Sequence, residues 1–137
     1  MRRKSVLLVE DEVSIRESLV ELFESDAVQV CTAASLGEAR RQLCDRSVDL
    51  VITDLRLGPR RDGGLQVTGA AGMLAADAAV VVLTAYPDDD NRLAARRLGA
   101  THFLQKPVDL EIIARIAAIY GVPTAVATGT RGGLVME

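Results

Sequence analysis

Short, mainly apolar runs alternate with segments of helical periodicity along the chain, and this alternation limits the possible folds more than any other feature. Runs of this length, bounded by polar or turn-forming residues, are typical of strands buried on both faces of a sheet. They are predicted at residues 5–9, 28–32, 50–53, 79–83 and 101–104. Repeated strand–helix units place their strands parallel. The sequence therefore predicts an α/β fold, a doubly wound five-stranded parallel sheet with helices on both faces.

Local signals predict where some helices begin. Two S-x-x-E patterns, Ser14–Glu17 and Ser35–Glu38, have the form of capping boxes, in which side chains satisfy the free N–H groups of a first helical turn. Glycine and proline are concentrated between residues 58 and 64, which indicates a turn-rich loop. The third helix is expected from about residue 65 to 76, weakened by internal glycines.

Size and charge narrow the class of protein. A chain of 137 residues is long enough for one domain with its own core. We expect this domain at residues 1–121, followed by a flexible tail or linker stub at 122–137. A net charge of −3 argues against direct nucleic-acid binding, which needs a concentrated basic surface. No apolar run is long enough to cross a membrane. We therefore expect a cytoplasmic protein without membrane contact.

Polar side chains follow the predicted strands at the points where these strands end. Glu10 and Asp11 follow the first strand, Asp54 the third, Thr84 the fourth, and Lys106 comes shortly after the fifth. Sites in parallel sheets lie beyond the carboxyl ends of the strands, so these residues should converge. Clustered carboxylates suit Mg²⁺, whereas an ammonium and a hydroxyl suit a phosphoryl group. The pattern favours a phosphoryl-transfer site.

Four segments at these strand ends resemble the signature segments of response-regulator receiver domains, the phosphoacceptor modules of two-component signalling. The resemblance covers about residues 4 to 120, and the segments occur in order at residues 6–12, 51–57, 82–85 and 103–107. It implies a chemotaxis-Y-like fold with the flavodoxin-like strand order 2-1-3-4-5.

The resemblance also implies a role for each acidic residue. Asp54 would be the phosphoacceptor, taking a phosphoryl group from a phosphohistidine in a Mg²⁺-dependent reaction. Asp11 and Asp54 would bind the metal directly, together with the backbone carbonyl of Arg56. Glu10 would act on the metal through a bound water.

Further roles follow from the same resemblance for the residues of the fourth and fifth strands. Lys106 would hold a phosphoryl oxygen, assisted by the Thr84 hydroxyl and the backbone N–H of Ala85. Thr84 and Phe103 would form the coupled switch pair. The peptide bond between Lys106 and Pro107 would be cis, which places the lysine.

Two features depart from the pattern of the family, and two further positions vary within it. Pro59 stands one place later than usual in the loop after Asp54, and the third helix is rich in glycine. Arg56 and Tyr86 occupy the two positions that adjust the dephosphorylation rate in the family. Two bulky groups there favour a longer-lived aspartyl phosphate.

Such a protein would be a signalling switch and not an enzyme, with phosphoryl transfer and autodephosphorylation as its only reactions. Its partners would be a sensor histidine kinase or phosphotransfer protein, and a downstream output domain or protein. The face formed by the fourth helix, fifth strand and fifth helix would read out phosphorylation and could support a homodimer.

Other interpretations of these residues stay open at this point. Glu10–Glu12 could be an acidic helix start, and Asp54 an ordinary turn residue. A pseudo-receiver that binds proteins without phosphorylation has the same fold. A phosphatase with a nucleophilic aspartate would need a second aspartate where Arg56 stands. A nucleotide- or flavin-binding protein would need a glycine-rich phosphate loop after the first strand. His102, the single histidine, is expected to be a packing residue.

Overall fold

The computed structural model describes residues 2–125, in which five strands alternate with five helices. In chain order, the elements are β1 (Lys4–Val9), α1 (Val13–Phe23), β2 (Val28–Ala33), α2 (Leu36–Asp45), β3 (Leu50–Asp54), α3 (Gly63–Leu74), β4 (Ala79–Thr84), α4 (Asp89–Arg97), β5 (His102–Gln105) and α5 (Leu110–Ile119). All four strand pairings are parallel, and the strand order is β2-β1-β3-β4-β5. The predicted fold and strand order are confirmed.

The sheet separates two apolar cores, because successive side chains of a strand point to opposite faces. One core lies between the sheet and helices α2 and α3, and contains Leu7, Val51 and Val82 among its buried strand residues. The other lies against helices α1 and α5, and contains Leu8 and Ile52. Strands β1, β3 and β4 are thus covered on both faces, which explains their continuous apolar sequences.

Three of the helices begin at a side chain that accepts a backbone hydrogen bond. Ser35 accepts from the N–H of Glu38, as the capping box predicts, while Asp88 and Asp109 cap helices α4 and α5. The prediction of a capping box at Ser14 was wrong. Helix α1 already begins at Val13, so Ser14 lies inside its first turn and its hydroxyl donates to Glu12 instead.

Helix α3 begins earlier than the sequence predicts, because the two glycines assigned to the preceding loop form its first turn. It spans Gly63–Leu74 and not residues 65–76. A side-chain Cβ at Gly64 would lie 2.3 Å from the backbone oxygen of Asp54, and the N–H of Gly64 donates to the carbonyl of Leu55 at 2.8 Å. Glycine is needed at residue 64 because the helix touches the backbone that follows β3.

The chain continues to pack after helix α5. Val122 is 1% exposed within the core on the α1–α5 side, and Thr124 is also buried. These two residues of the predicted tail belong to the packed part of the chain, and residues 126–137 lie outside the described residues. Between residues 2 and 125, no helix has the length and apolar character required to span a membrane.

Candidate functional site

The ends of strands β1, β3, β4 and β5 meet at one edge of the sheet, which we call the carboxyl edge. Hydrogen bonds that extend the strand ladders fix the backbone of each loop where it leaves the sheet. Leu55 N–H donates to the carbonyl of Leu83, and Lys106 N–H donates to the carbonyl of Thr84, each at 2.8 Å. The side chains that follow the strands are therefore held against one another by the sheet itself.

Three carboxylates converge at the carboxyl edge. Oxygens of Glu10, Asp11 and Asp54 all lie within 4.8 Å of one another. Glu10 is buried, Asp54 is half-buried and Asp11 is exposed, so the cluster opens to solvent on the Asp11 side. Burial raises the pKa of both Glu10 and Asp54 above the usual range for carboxyl groups. Their ionised forms are thus incompletely stabilised by the protein.

Lys106 is the cation that faces this cluster. Its Nζ lies 3.0 Å from Oε1 of Glu10 and 3.1 Å from Oδ1 of Asp54, with the side chain only 18% exposed. Burial acts to lower the pKa of Lys106, but the hydrogen bond to Glu10 and the charge of Asp54 raise it on balance. The ammonium therefore stays charged at neutral pH. The Lys106–Pro107 peptide bond is cis, as expected.

Two contacts that hold the acidic residues were not identified from the sequence. Arg16 on helix α1 donates from Nη1 to the backbone oxygen of Glu10 at 2.8 Å. Gly58 donates its N–H to Oδ2 of Asp11, also at 2.8 Å, with a φ of 57° that favours glycine. The turn after β1 and the loop after β3 are thus each fixed by a hydrogen bond, which only the folded chain could reveal.

The donor set fits a hard divalent cation. All three acidic side chains offer oxygen ligands, which Mg²⁺ prefers, and the exposed side of the cluster leaves room for the waters that Mg²⁺ retains. Asp11 and Asp54 would hold such an ion, with Glu10 behind them because Glu10 is the buried member of the three. The metal-binding role of the Arg56 carbonyl stays a prediction.

Thr84 and Phe103 lie on the same face of the sheet, beside the acidic cluster. Thr84 ends β4 and is 1% exposed, and its Oγ1 accepts a hydrogen bond from Tyr86 N–H at 3.1 Å. Phe103 pairs in register with Val82, two residues before Thr84. The predicted switch residues are therefore diagonal neighbours on adjacent strands. Ala85 is exposed directly after β4.

The side chains of Arg56 and Tyr86, from the loops that follow β3 and β4, contact each other. The Arg56 guanidinium carbon lies 5.0 Å from the centre of the Tyr86 ring, within the range of a cation–π contact. Tyr86 is 67% exposed, so the pair stands at the surface between the loops after β3 and β4. The sequence placed these residues near the site but could not predict their stacking.

The single histidine and the two cysteines lie away from the carboxyl edge. His102 is half-buried, and its Nε2 lies 3.1 Å from the hydroxyl of Tyr120, in agreement with a packing role. Cys31 is a free thiol in the core, whereas Cys44 is a free thiol exposed on helix α2. Neither the histidine nor the cysteines contribute a ligand atom to the acidic cluster.

Comparison with known proteins gives one consistent result. Residues 6–118 match the family described as the response regulator receiver domain. The regulatory protein VirG of Agrobacterium fabrum is 32% identical over 125 residues, which are 90% of this chain and 49% of VirG. The chain thus spans about half the length of this relative.

Solved structures show the same likeness. A response regulator protein from Burkholderia pseudomallei, crystallised with a phosphorylated aspartic acid, a calcium ion and citrate, is 29% identical with a TM-score of 0.74; the match covers 84% of this chain and 65% of that one. The non-phosphorylated HemR receiver domain from Leptospira biflexa is 31% identical with a TM-score of 0.75, over 87% and 95% of the two chains.

Proposed function

Since this chain belongs to the family of response regulator receiver domains, we propose that it is a phosphorylation-controlled switch whose phosphoacceptor is Asp54. One observation carries the proposal: at the carboxyl edge, Lys106 and two further carboxylates converge on the side chain of Asp54. The family resemblance supports the reaction, and the contacts support Asp54 as the residue that accepts the phosphoryl group. The phosphorylated aspartic acid in the Burkholderia pseudomallei structure supports the same chemistry in a relative.

In the proposed reaction, Asp54 takes a phosphoryl group from a phosphohistidine of a partner kinase or phosphotransfer protein. A carboxylate oxygen of Asp54 forms the new bond to phosphorus, the bond between phosphorus and the imidazole nitrogen breaks, and the imidazole takes up a proton. Bound Mg²⁺ would supply positive charge to the transferred oxygens. The chain itself provides the Lys106 ammonium, 3.1 Å from Asp54, and the Thr84 hydroxyl and Ala85 N–H at the end of β4.

The experiment is incubation with acetyl phosphate and Mg²⁺, followed by intact-mass measurement. We expect the parent to gain the mass of one phosphoryl group and Asp54→Asn to gain none. Asp49→Asn is the matched control, because Asp49 directly precedes β3, of which Asp54 is the last residue. Equal labelling of Asp54→Asn and the parent would refute the assignment, and the control should label as the parent does.

Phosphorylation would be read out at the face formed by α4, β5 and α5. Charge on Asp54 attracts the Thr84 hydroxyl away from its present partner, Tyr86 N–H, and Phe103 then moves toward the vacated space. We therefore expect Thr84→Ala to accept one phosphoryl group but to respond weakly at this face. The measurement is the change of amide chemical shifts over residues 84 to 115 on adding beryllofluoride. Equal changes in Thr84→Ala and the parent would contradict the coupling.

The Arg56–Tyr86 contact would slow the loss of the signal. We infer that this exposed pair shields an aspartyl phosphate from water, so its removal should shorten the phosphoryl lifetime. Downstream, the part of relatives such as VirG that this chain does not span suggests an output domain or output protein as the recipient of the signal. A pseudo-receiver is not favoured, because every position that phosphoryl transfer requires holds a suitable residue.

A further inference from the structure

The ring of Phe103 has a cation above it in the described state. The guanidinium carbon of Arg92, on helix α4, lies 5.0 Å from the centre of the Phe103 ring. At this distance a guanidinium is attracted to the electron-rich face of an aromatic ring. We call this contact the Arg92–Phe103 stack.

The ring is the partner that the structure offers to Arg92. Three aspartates, residues 88 to 90, begin the same helix, yet within residues 2–125 no carboxylate is close enough to form a salt bridge with Arg92. Phe103 is only half-buried, and a groove of about 370 Å³ between α4 and β5 lies beside it. The ring thus packs against the core on the α2–α3 side but stays half-buried, with Arg92 over it.

We propose that Arg92 holds Phe103 in the position that it has in the unphosphorylated protein. The contact would thereby raise the free energy that phosphorylation of Asp54 must supply to move the ring. This inference rests on the proposed function, in which Phe103 moves when Asp54 is phosphorylated. A contact that exists in only one of two states stabilises that state by its full free energy. Movement of Phe103 toward Thr84 draws the ring away from the guanidinium, so the stack opposes activation.

The number of phenylalanines makes the proposal directly measurable. The chain has two, so incorporation of 4-fluorophenylalanine gives two ¹⁹F signals. Phe23 is 0% exposed in the core on the opposite side of the sheet and serves as an internal reference. The Phe103 signal then reports on the ring itself, with and without beryllofluoride.

Three variants separate the stack from a general effect of charge. Arg92→Ala removes the stack, and Arg92→Lys keeps the charge without the planar group. Arg96→Ala is the matched control, because Arg96 lies one turn further along α4 and lines the same groove. Without beryllofluoride, Arg92→Ala should move the Phe103 signal toward its activated position. The beryllofluoride concentration at half-saturation should fall about two- to fivefold, the size expected for an exposed cation–π contact.

The expected order of response is Arg92→Ala, then Arg92→Lys, with Arg96→Ala equal to the parent and Phe23 unchanged throughout. An unchanged Phe103 signal and half-saturation in Arg92→Ala would overturn the proposal, and so would equal shifts in Arg92→Ala and Arg96→Ala. If intact-mass measurement shows that the parent is phosphorylated, such a result refutes only the role of the Arg92–Phe103 stack. If the parent takes up none and beryllofluoride moves neither signal, the proposed function fails, and the inference fails with it.

Discussion

Strand β3 has an aspartate close to each end, and the two carboxylates lie in opposite electrostatic environments. Asp49, just before the strand, accepts hydrogen bonds from both terminal nitrogens of Arg2, at 2.9 and 3.2 Å, and from Ser5 N–H at 2.8 Å. Asp54, at the carboxyl end, shares the single ammonium of Lys106 with Glu10. We call the edge of the sheet that contains Asp49 the amino edge.

The pKa values of the two carboxyl groups reflect this difference. At Asp49, burial acts to raise the pKa, but the hydrogen bonds from Arg2 and Ser5 lower it on balance. At Asp54, burial raises the pKa, and Lys106 offsets only part of this rise. The charge at the amino edge is satisfied by the protein and stabilises the fold. The charge at the carboxyl edge is not fully satisfied, which fits the proposed binding of a metal ion and a phosphoryl group.

The largest expected effect is the loss of the cation at the carboxyl edge. Lys106→Met leaves Glu10 and Asp54 without a counter-charge, and we expect the free energy of unfolding in metal-free buffer to fall by about 3 kcal/mol. Added Mg²⁺ should restore part of this loss by binding the folded state. Urea denaturation with EDTA or Mg²⁺ at equal ionic strength measures both.

Arg2→Met is the control at the amino edge. The side chain of Arg2 is 57% exposed, so water replaces much of what Asp49 loses, and the destabilisation should be smaller and insensitive to Mg²⁺. Equal losses in Lys106→Met and Arg2→Met would contradict the distinction between the two edges.

A smaller effect is expected from the packing of helix α3 against the carboxyl edge. Gly64→Ala places a methyl group 2.3 Å from the backbone oxygen of Asp54, so the free energy of unfolding should fall by about 2 kcal/mol. Gly72→Ala, near the other end of the helix, meets its nearest atom at 3.6 Å and should gain about 0.5 kcal/mol from reduced backbone entropy. Thermal unfolding of both variants tests this. A loss in Gly72→Ala equal to that in Gly64→Ala would show that the helix and not the contact is sensitive.

The smallest effects, and the most direct comparison, come from the same substitution at both ends of β3. Asp49→Asn should lower the free energy of unfolding by about 1 to 2 kcal/mol, because a neutral amide replaces the charged carboxylate that accepts hydrogen bonds from Arg2 and Ser5. Asp54→Asn should leave metal-free stability equal or higher, because it removes an ionised carboxylate whose burial is costly.

The pH dependence gives the same comparison a second measurement. The pKa of Asp49 is lowered on folding, so its contribution is complete above the unfolded value of about 4 and disappears as the pH falls through the folded value. The pKa of Asp54 is raised, so the advantage of Asp54→Asn exists above the folded pKa and disappears once the parent carboxyl takes up a proton. The measurement is chemical denaturation of the parent and both variants from pH 7 to acid pH. If Asp49→Asn and Asp54→Asn changed the free energy of unfolding in the same direction at neutral pH, this explanation would be wrong.

The order of the elements and the convergence of Glu10, Asp54 and Lys106 could be predicted from the sequence for one physical reason. Apolar runs locate the strands, and parallel topology then brings the residues that follow them to a single edge. No distance between side chains was needed for that step. The charged residues at the strand ends therefore carried most of the information about the site.

What could not be predicted depends on contacts between loops and side chains. Glycine propensity indicated a loop at Gly64, whereas close approach to Asp54 requires glycine inside a helix. The hydrogen bond from Gly58 to Asp11 depends on a left-handed backbone conformation in the loop after β3. The stacks of Arg56 on Tyr86 and of Arg92 on Phe103 depend on side-chain conformations that leave no periodic pattern in the sequence.

The position of Lys106 also has a consequence for covalent chemistry. Only two of the 16 lysine and arginine residues are lysines, and the other one, Lys4, begins β1. Acylating reagents that modify amines but not guanidinium groups thus have a single lysine target in the acidic cluster, with Lys4 as a reference outside it. Because the Lys106 amine is held by Glu10 and Asp54 and is largely shielded from solvent, its acylation rate relative to that of Lys4 reports whether those ion pairs are closed.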